Sequence, residues 1–163
     1  MKFEKISYTM YEKENLDINI GYAQIKLPQR ATKYSAGYDI YSICDFELRP
    51  NQTILLPTGI KFDCDTDKFL FIAPRSGQGF KYKVQLYNTV GIVDADYYNN
   101  NKNEGHIWIK LYNDSPEGHT LTVKQGEAIC QGIIMPYFKV EGDDADGQRE
   151  GGFGSTSKNE RGV

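Results

Sequence analysis

The sequence is poor in the residues that build disulfide, zinc and nucleophilic sites. Its 163 residues include three cysteines and two histidines. Cys44, Cys64 and Cys130 lie far apart, and none has the spacing of a CxxC or Cys/His ligand set, so we expect neither a disulfide framework nor a zinc site. His106 and His119 lie in strand-like patterns without a nucleophile signature, which argues against covalent catalysis by a triad.

An excess of positive charge and long apolar runs are also missing. The chain has 19 basic and 22 acidic residues, a net charge of −3, so we expect no polymeric nucleic acid as a partner. It contains no apolar run of about 18 residues and no opening signal segment, which argues against membrane spanning and secretion. The length of 163 residues predicts a single domain. The odd number of scattered cysteines predicts the reducing cytoplasm as its compartment.

What the sequence does have is many short runs rich in aromatic and β-branched residues. Examples are "TILLPTGIKF", "KFLFIA" and "AICQGIIMPYFKV", each ended by Gly, Pro, Asn or Asp. In "HIWIKLY", Ile107, Ile109 and Leu111 alternate with polar or aromatic residues, as in a strand with one buried face. The pattern predicts an all-β sandwich or barrel, with one weak helix near "YTMYEKENL".

Both ends of the chain differ from this pattern. Residues 1 to about 22, called the N-terminal extension, are expected to add an accessory strand or helix to a core that ends at residue 141. Residues 142–163, called the arm, contain only two apolar side chains between 142 and 162, Ala145 and Phe153. The arm is either a frayed tail or a mobile segment that becomes ordered on a ligand.

Two motifs offer groups for an anionic ligand. "SAGYDIYS" leads into a strand that bears Asp39, although an Asp at a strand start is often only a solvated carboxylate. In "APRSGQGF", Pro74 and Gly77 predict a tight turn that presents Arg75 and Ser76. Such a turn can bind phosphate through backbone N–H groups and the guanidinium.

The segment "NTVGIVDADYYNNNKNEGHI" is the most informative. We predict a hairpin between "VGIV" and "HIWI" whose turn carries Asp94 and Tyr97. Asp94 could accept a proton from an attacking water, and Tyr97 could pack on a sugar. The alternative interpretation of this segment is a solvated acidic turn. In "QGEAICQG", Gln131 either binds a ligand or satisfies a neighbouring backbone group.

The arm has its own ligand-binding chemistry. Arg149, Ser155 and Thr156 can donate to phosphate, while Phe153 can stack on a base, a contact worth about 1–3 kcal/mol in single-stranded nucleic-acid sites. Glycines such as Gly154 would let the arm fold over a nucleotide. The segment is not a Walker loop.

Taken in order, these five motifs resemble those of the homotrimeric dUTP diphosphatases, from about residue 25 to residue 156. The asparagine-rich insertion, residues 98–103, is similar to forms from Gram-positive bacteria and their phages. The resemblance implies a distorted β jelly roll that forms a trimer. Each active site would be shared between subunits and closed by the arm.

The resemblance also implies roles for individual residues. Asp94 would activate the water that attacks the α-phosphorus of dUTP, giving dUMP and pyrophosphate. Asp39 would order the metal-bound water network. Asn88 and the backbone that follows it, including Gly91, would read uracil, and Tyr97 would lie beneath deoxyribose and clash with a ribose 2′-hydroxyl.

The phosphates and the arm complete the implied site. Ser76, Gly77 and Gln131 match phosphate-side contacts, and Arg75 matches a residue contributed across the subunit interface. In the arm the implied substrate contacts are Arg149, Phe153, Gly154, Ser155 and Thr156. Arg149 lies one position nearer to the aromatic than in many members. Mg²⁺ would be held by the triphosphate and water, with no direct protein ligand.

Two other functions remain open at this stage. A dCTP deaminase of the same fold would need neither Asp94 paired with Tyr97 nor a hairpin that reads uracil. A dUTP-responsive regulatory protein would grip a protein partner through the insertion and the residues before Gln24. Those segments are equally well explained as a solvated loop and a packing extension.

Overall fold

The computed structural model describes residues 1–14, 16 and 21–147. Antiparallel strands dominate this part of the chain, which confirms the all-β prediction, and the arrangement is jelly-roll-like. The strands are β1 (Lys2–Lys5), β2 (Gln29–Arg30), β3 (Tyr38–Tyr41), β4 (Phe46–Leu48), β5 (Thr53–Pro57), β6 (Ile60–Asp63), β7 (Lys68–Ala73), β8 (Val84–Leu86), β9 (Gly91–Asp94), β10 (Trp108–Asn113), β11 (Leu121–Val123) and β12 (Ala128–Pro136).

Two α-helices accompany these strands, α1 (Tyr8–Lys13) and α2 (Ser76–Tyr82). Two short 3-10 helices cover Tyr22–Gln24 and Ala95–Tyr97. Among the described residues, no helix is long and apolar enough to cross a membrane.

The largest sheet carries four of the predicted site residues, Asp39, Gly91, Asp94 and Gln131. Its strands lie in the order β2, β3, β12, β7 and β9, and every neighbouring pair is antiparallel. In the central strand β12, Gln131 lies opposite Asp39 of β3 and Ala73 of β7. Residues that are far apart in the chain therefore meet at one end of this sheet.

A second sheet of β5, β10 and β8 packs onto the same core, and β11 pairs with β4. The buried face predicted for "HIWIKLY" is confirmed, because Ile107, Ile109 and Leu111 are all buried, but His106, which the pattern put on the other face, is buried as well. Lys110 of the same strand is exposed. The regular strand begins at Trp108.

The N-terminal extension forms both a strand and a helix. β1 pairs antiparallel with β6. Ser7 caps α1 by accepting a hydrogen bond from the backbone N–H of Met10 at 3.1 Å, which satisfies one of the free donors of the first turn. Ile6 and Leu16 are 0% and 2% exposed, so the extension contributes side chains to the core.

Two local predictions were wrong. The tight turn predicted in "APRSGQGF" is the start of α2, which runs from Ser76 to Tyr82 and ends at Lys83 in the left-handed region, with φ 50°. The predicted hairpin between "VGIV" and "HIWI" does not form, because β9 pairs with β7 while β10 pairs with β5 and β8. Pairing with more distant strands overrode the local hairpin signal at β9 and β10.

Candidate active site

Three of the predicted motifs meet around Asp39. The Arg75 Nε lies 3.1 Å from the Asp39 Oδ1, and the two side chains are 42% and 18% exposed. An ion pair this accessible to water stabilises the fold by only about 0–1 kcal/mol. The ion pair holds the guanidinium beside the carboxylate at one end of the five-stranded sheet.

Gln131 joins the same group from β12. Its Nε2 donates to the carbonyl oxygen of Pro74 at 3.0 Å, so the side chain does satisfy a backbone group. A Cβ at Gly37 would come within 2.3 Å of the Gln131 Oε1. A side chain at Gly37 would therefore displace the Gln131 amide, a contact that no sequence pattern predicted.

The start of α2 presents the other predicted phosphate-side residues. Arg75 is the N-cap, and Ser76 and Gly77 are exposed in the first turn. Gln78 anchors this helix by donating from Nε2 to the carbonyl oxygen of Ala128 at 3.0 Å. The helix start is therefore fixed next to Asp39 and Gln131.

A second group of predicted residues surrounds β9. Asn88 is exposed in the turn before this strand, where Thr89 has φ 69° and its N–H donates to the carbonyl oxygen of Leu86 at 2.9 Å. Gly91 opens the strand, and a Cβ there would lie 3.0 Å from the Cβ of Ile72. Asp94, half-buried, ends it.

Tyr97 follows Asp94 after a single 3-10 turn and is held firmly. Its side chain is 8% exposed. Its hydroxyl donates to the carbonyl oxygen of His106 at 2.8 Å and accepts from the Asn103 Nδ2 at 2.8 Å. No sequence pattern predicted these contacts, which join the Tyr97 hydroxyl to a backbone carbonyl and to an amide of the insertion.

The insertion and the N-terminal extension contact each other. The Tyr98 hydroxyl donates to Glu4, and Glu104, the residue after the insertion, accepts from both the N–H and the hydroxyl of Ser7. Burial raises the pKa of Glu104, but the bonds from Ser7 and Lys61 outweigh burial and leave that pKa below its ordinary value. These contacts favour the interpretation of the extension as a packing element.

The three thiols are poorly placed for nucleophilic chemistry. Burial raises the pKa of Cys130, which is 0% exposed, and to a smaller degree that of Cys44 and Cys64. The reactive form of cysteine is the thiolate. The three cysteines are therefore poor candidates for a catalytic nucleophile.

The two predicted carboxylates, one in each group of residues, are oxygen donors of the kind that suits a hard cation. Asp39 and Asp94 supply carboxylates, the ligand chemistry that Mg²⁺ prefers. Within residues 1–14, 16 and 21–147, no three His, Cys, Asp or Glu side chains cluster as a metal site would require.

Comparison with known proteins identifies the family to which these residues belong. The family model for dUTPase matches residues 23–157. The chain belongs to the dUTPase family. A deoxyuridine 5′-triphosphate nucleotidohydrolase of Lactococcus lactis is 38% identical over 136 residues, which cover 82% of this chain and 89% of the relative.

Solved dUTPase structures share the fold. The dUTPase from Streptococcus mutans superposes with a TM-score of 0.70 at 32% identity, covering 87% of this chain and 100% of that one. A mutant form of the dUTPase from phage phi11 of S. aureus has a TM-score of 0.63 at 18% identity, covering 90% and 96%. That structure shows the coordination of a structural Mg(II) ion.

The predicted dUTPase site thus falls into two groups and a remainder. The first group lies at one end of the five-stranded sheet and consists of Asp39, Arg75, Ser76, Gly77 and Gln131. The second group lies along β9 and its flanks and consists of Asn88, Gly91, Asp94 and Tyr97. The arm residues Arg149, Phe153, Gly154, Ser155 and Thr156 lie outside the described residues.

Proposed function

We propose that this protein hydrolyses dUTP to dUMP and pyrophosphate, with Asp94 as the general base. The observation that carries the proposal is the half-buried Asp94 at the end of β9, three residues before the anchored Tyr97. It lies in a chain whose match to the dUTPase family covers residues 23–157.

The reaction needs one proton acceptor and one polarised phosphorus. A water oxygen attacks the α-phosphorus while its proton passes to the Asp94 carboxylate. The bond from the α-phosphorus to the oxygen that bridges to the β-phosphorus breaks, and pyrophosphate leaves with that oxygen. General-base catalysis of this kind contributes about 10²–10⁴-fold to the rate.

The residues around β9 would select the nucleoside. Asn88 and the backbone near Gly91 are proposed to read uracil at close range, which leaves no room for the methyl group of thymine. Tyr97 is proposed to pack beneath deoxyribose. Its hydroxyl is held by two hydrogen bonds, so a ribose 2′-hydroxyl would meet a ring that cannot easily move aside.

The residues at the opposite end of the sheet would hold the phosphates. Arg75 supplies positive charge, and the exposed Ser76 and Gly77 supply donors at the start of α2. The amide nitrogen of Gln131 carries two hydrogens, of which the bond to Pro74 uses one. The arm is proposed to add Arg149, Phe153, Gly154, Ser155 and Thr156.

Mg²⁺ is proposed as the cofactor. When bound, it would neutralise charge that develops on the phosphate oxygens during the displacement. Asp39 would orient water molecules of its hydration shell, and Arg75 keeps that carboxylate in place. The protein itself need not supply a direct ligand.

The register of the sheet suggests that each site draws on more than one subunit. Asp39 lies level with Ala73 of β7, and Asp94 lies level with Phe69 of β7, so the two positions are four residues apart along that strand. They are also three strand spacings apart across the sheet. With about 3.3 Å per residue and about 4.8 Å per strand, the two carboxylates are separated by roughly 20 Å. We therefore assign them to different active sites of a homotrimer.

The surface between these carboxylates supports an assembly. The outer face of the sheet between the carboxylates carries Phe69, Phe71, Ile92, Ile133 and Met135. Along their strands these residues alternate with core residues such as Leu70, Ile72 and Val93. Ile92 is 53% exposed and Met135 is 39% exposed in the isolated subunit. An apolar patch of this kind is typical of a protein interface, and a second copy of the chain is its proposed occupant.

Replacing Ile92 by Lys should dissociate the assembly and lower activity together, because a lysine would have to be desolvated in the interface. Analytical ultracentrifugation and a pyrophosphate-release assay measure the two effects. Thr122→Lys is the matched control, since Thr122 is exposed on the separate sheet of β4 and β11. A fully active monomer would refute the shared site.

The purified protein with Mg²⁺ is expected to release pyrophosphate from dUTP and far more slowly from dTTP, UTP and dCTP. The discrimination follows from the proposed reading of uracil by Asn88 and Gly91 and from the anchored Tyr97. Comparable turnover of UTP would contradict the role of Tyr97. Release of ammonia from dCTP would instead indicate a deaminase.

The cytoplasm is the proposed compartment. All three cysteines are free thiols. Free cysteines persist where glutathione and thioredoxin keep thiols reduced.

A further inference from the structure

Tyr97 lies at the end of a chain of hydrogen bonds that begins in the N-terminal extension. The first link is its hydroxyl, which donates to the backbone carbonyl of His106 at 2.8 Å. The second is the Asn103 Nδ2, which donates to that hydroxyl at 2.8 Å. The hydroxyl proton is thereby held towards the His106 carbonyl, and one lone pair is held towards the Asn103 amide. The Tyr97 side chain is 8% exposed.

His106 is itself fixed on both ring nitrogens. It is 0% exposed. The backbone N–H of Gly59 donates to Nε2 at 2.9 Å, so Nε2 must be an acceptor and the proton of the neutral ring must lie on Nδ1. Nδ1 in turn contacts the carboxylate of Glu14, which accepts that proton's hydrogen bond.

Glu14 belongs to the N-terminal extension. It follows α1 directly and forms the C-cap of that helix. Its side chain is 17% exposed, and 92 residues of sequence separate it from His106. The residue whose backbone carbonyl holds Tyr97 is thus contacted at its ring by a carboxylate outside every predicted motif.

We infer that Glu14 and Asn103 are positioning residues for Tyr97, so that the extension and the insertion together set the discrimination between deoxyribose and ribose. This inference rests on the proposed function, in which Tyr97 excludes a ribose 2′-hydroxyl. Neither residue touches the nucleotide. They act by preventing the tyrosine ring from moving away from the sugar.

The physical reason is the steepness of steric repulsion. A ring that excludes one oxygen atom must stay within a few tenths of an ångström of its place, because a shift of about 1 Å can change a rate by about 10²-fold. Removing the Glu14 carboxylate leaves a buried N–H of His106 without its acceptor, an arrangement that folded proteins avoid. The ring then turns or changes tautomer, and the Gly59 contact and the backbone at His106 adjust with it.

Asn103 acts on the hydroxyl from the other side. Its Oδ1 accepts from the Asn100 Nδ2 at 2.8 Å and from the N–H of Gly105 at 3.1 Å. The Asn100 Nδ2 also donates to the carbonyl oxygen of Tyr97 at 2.8 Å. The insertion therefore holds Tyr97 by both its backbone and its hydroxyl.

The test compares kcat/KM for dUTP and UTP in Glu14→Ala, Glu14→Gln and wild-type protein. Glu14→Ala should lower the ratio of the two values by about tenfold. Glu14→Gln should restore most of it, since the amide oxygen can accept the same hydrogen bond. Glu12→Ala is the matched control, an exposed glutamate of the same helix, and should leave the ratio unchanged.

A direct readout comes from the histidine rings. The chain has only two histidines, so ¹⁵N spectra of the imidazoles can be assigned with one His119→Gln variant. Wild-type His106 should show a protonated Nδ1 and an unprotonated Nε2. In Glu14→Ala the His106 signals should shift or broaden, and in Glu14→Gln they should return towards the wild-type pattern.

Asn103→Asp provides a second variant in case Glu14→Ala does not fold. It keeps the shape and the Oδ1 acceptor but removes the donor to the Tyr97 hydroxyl, and it should lower the ratio in the same direction. An unchanged ratio in Asn103→Asp, and in Glu14→Ala where that variant folds, would overturn the inference.

Tyr97→Ala separates this inference from the proposed function. If Tyr97→Ala loses the preference for dUTP over UTP while the Glu14 and Asn103 variants keep it, the sugar role of Tyr97 stands and the positioning role is refuted. If Tyr97→Ala itself keeps the preference, both ideas fail. If the wild-type protein does not hydrolyse dUTP, the proposed function has failed at an earlier step.

Discussion

Replacing Asp94 by Asn is expected to lower kcat by about 10²–10⁴-fold while leaving nucleotide affinity nearly unchanged. The asparagine keeps the size of the side chain and can still accept a hydrogen bond from water. It cannot take the proton, so only the chemical step loses stabilisation. Steady-state pyrophosphate release with Mg²⁺ measures kcat, and calorimetric titration with a non-hydrolysable dUTP analogue measures affinity.

The charge change needs its own control. Asp114→Asn removes the same unit of charge from an exposed position outside β9, and it should have near-normal turnover. Turnover of Asp94→Asn within a few-fold of wild type would show that another group accepts the proton. A large loss of affinity would show that Asp94 acts in binding rather than in proton transfer.

Ending the chain after Gly147 is expected to leave the fold intact and to lower kcat/KM by about 10²-fold or more. The fold should persist because every buried core side chain of the described residues precedes this point. The loss should come from the stacking of Phe153 on uracil, worth about 1–3 kcal/mol, from missing phosphate donors, and from a site left open to water. Thermal unfolding and dUTP kinetics measure the two parts.

Single variants of the arm divide this effect. Phe153→Ala should reproduce only the stacking part of the loss, and Arg149→Ala shows whether the displaced arginine contributes to phosphate binding. If the shortened chain hydrolyses dUTP as efficiently as the full chain, the arm is a frayed tail and closure by it plays no part in catalysis.

The strand pattern was predictable because it depends on neighbours two residues apart. The alternation of Ile107, Ile109 and Leu111 with polar or aromatic residues predicts one buried face, and all three are buried. The helix α1 was also visible, since its sequence lacks breakers. The order of the five motifs sufficed to predict the dUTPase family, because catalytic chemistry requires particular side chains at particular separations.

The chemistry of single residues could likewise be assigned locally. Asp94 is a carboxylate three residues before Tyr97, and Gln131 is an amide within an apolar strand. Both facts can be read from the sequence without knowing the conformation. The sequence also allowed both interpretations of Gln131, and the structure shows its bond to the Pro74 carbonyl. Phosphate binding by Gln131 stays a prediction of the resemblance.

Sequence alone therefore determined the β-rich class and the types of group available for catalysis, since these follow from side-chain identity and short-range periodicity. The family was predicted from the resemblance of five ordered motifs to those of known members. Tertiary structure alone decided that Ser76–Tyr82 is helical despite its glycines, that β9 and β10 belong to different sheets, and that Glu14 meets His106. Such contacts join residues tens of positions apart, and their free energy depends on how the whole core packs. No local pattern encodes that packing.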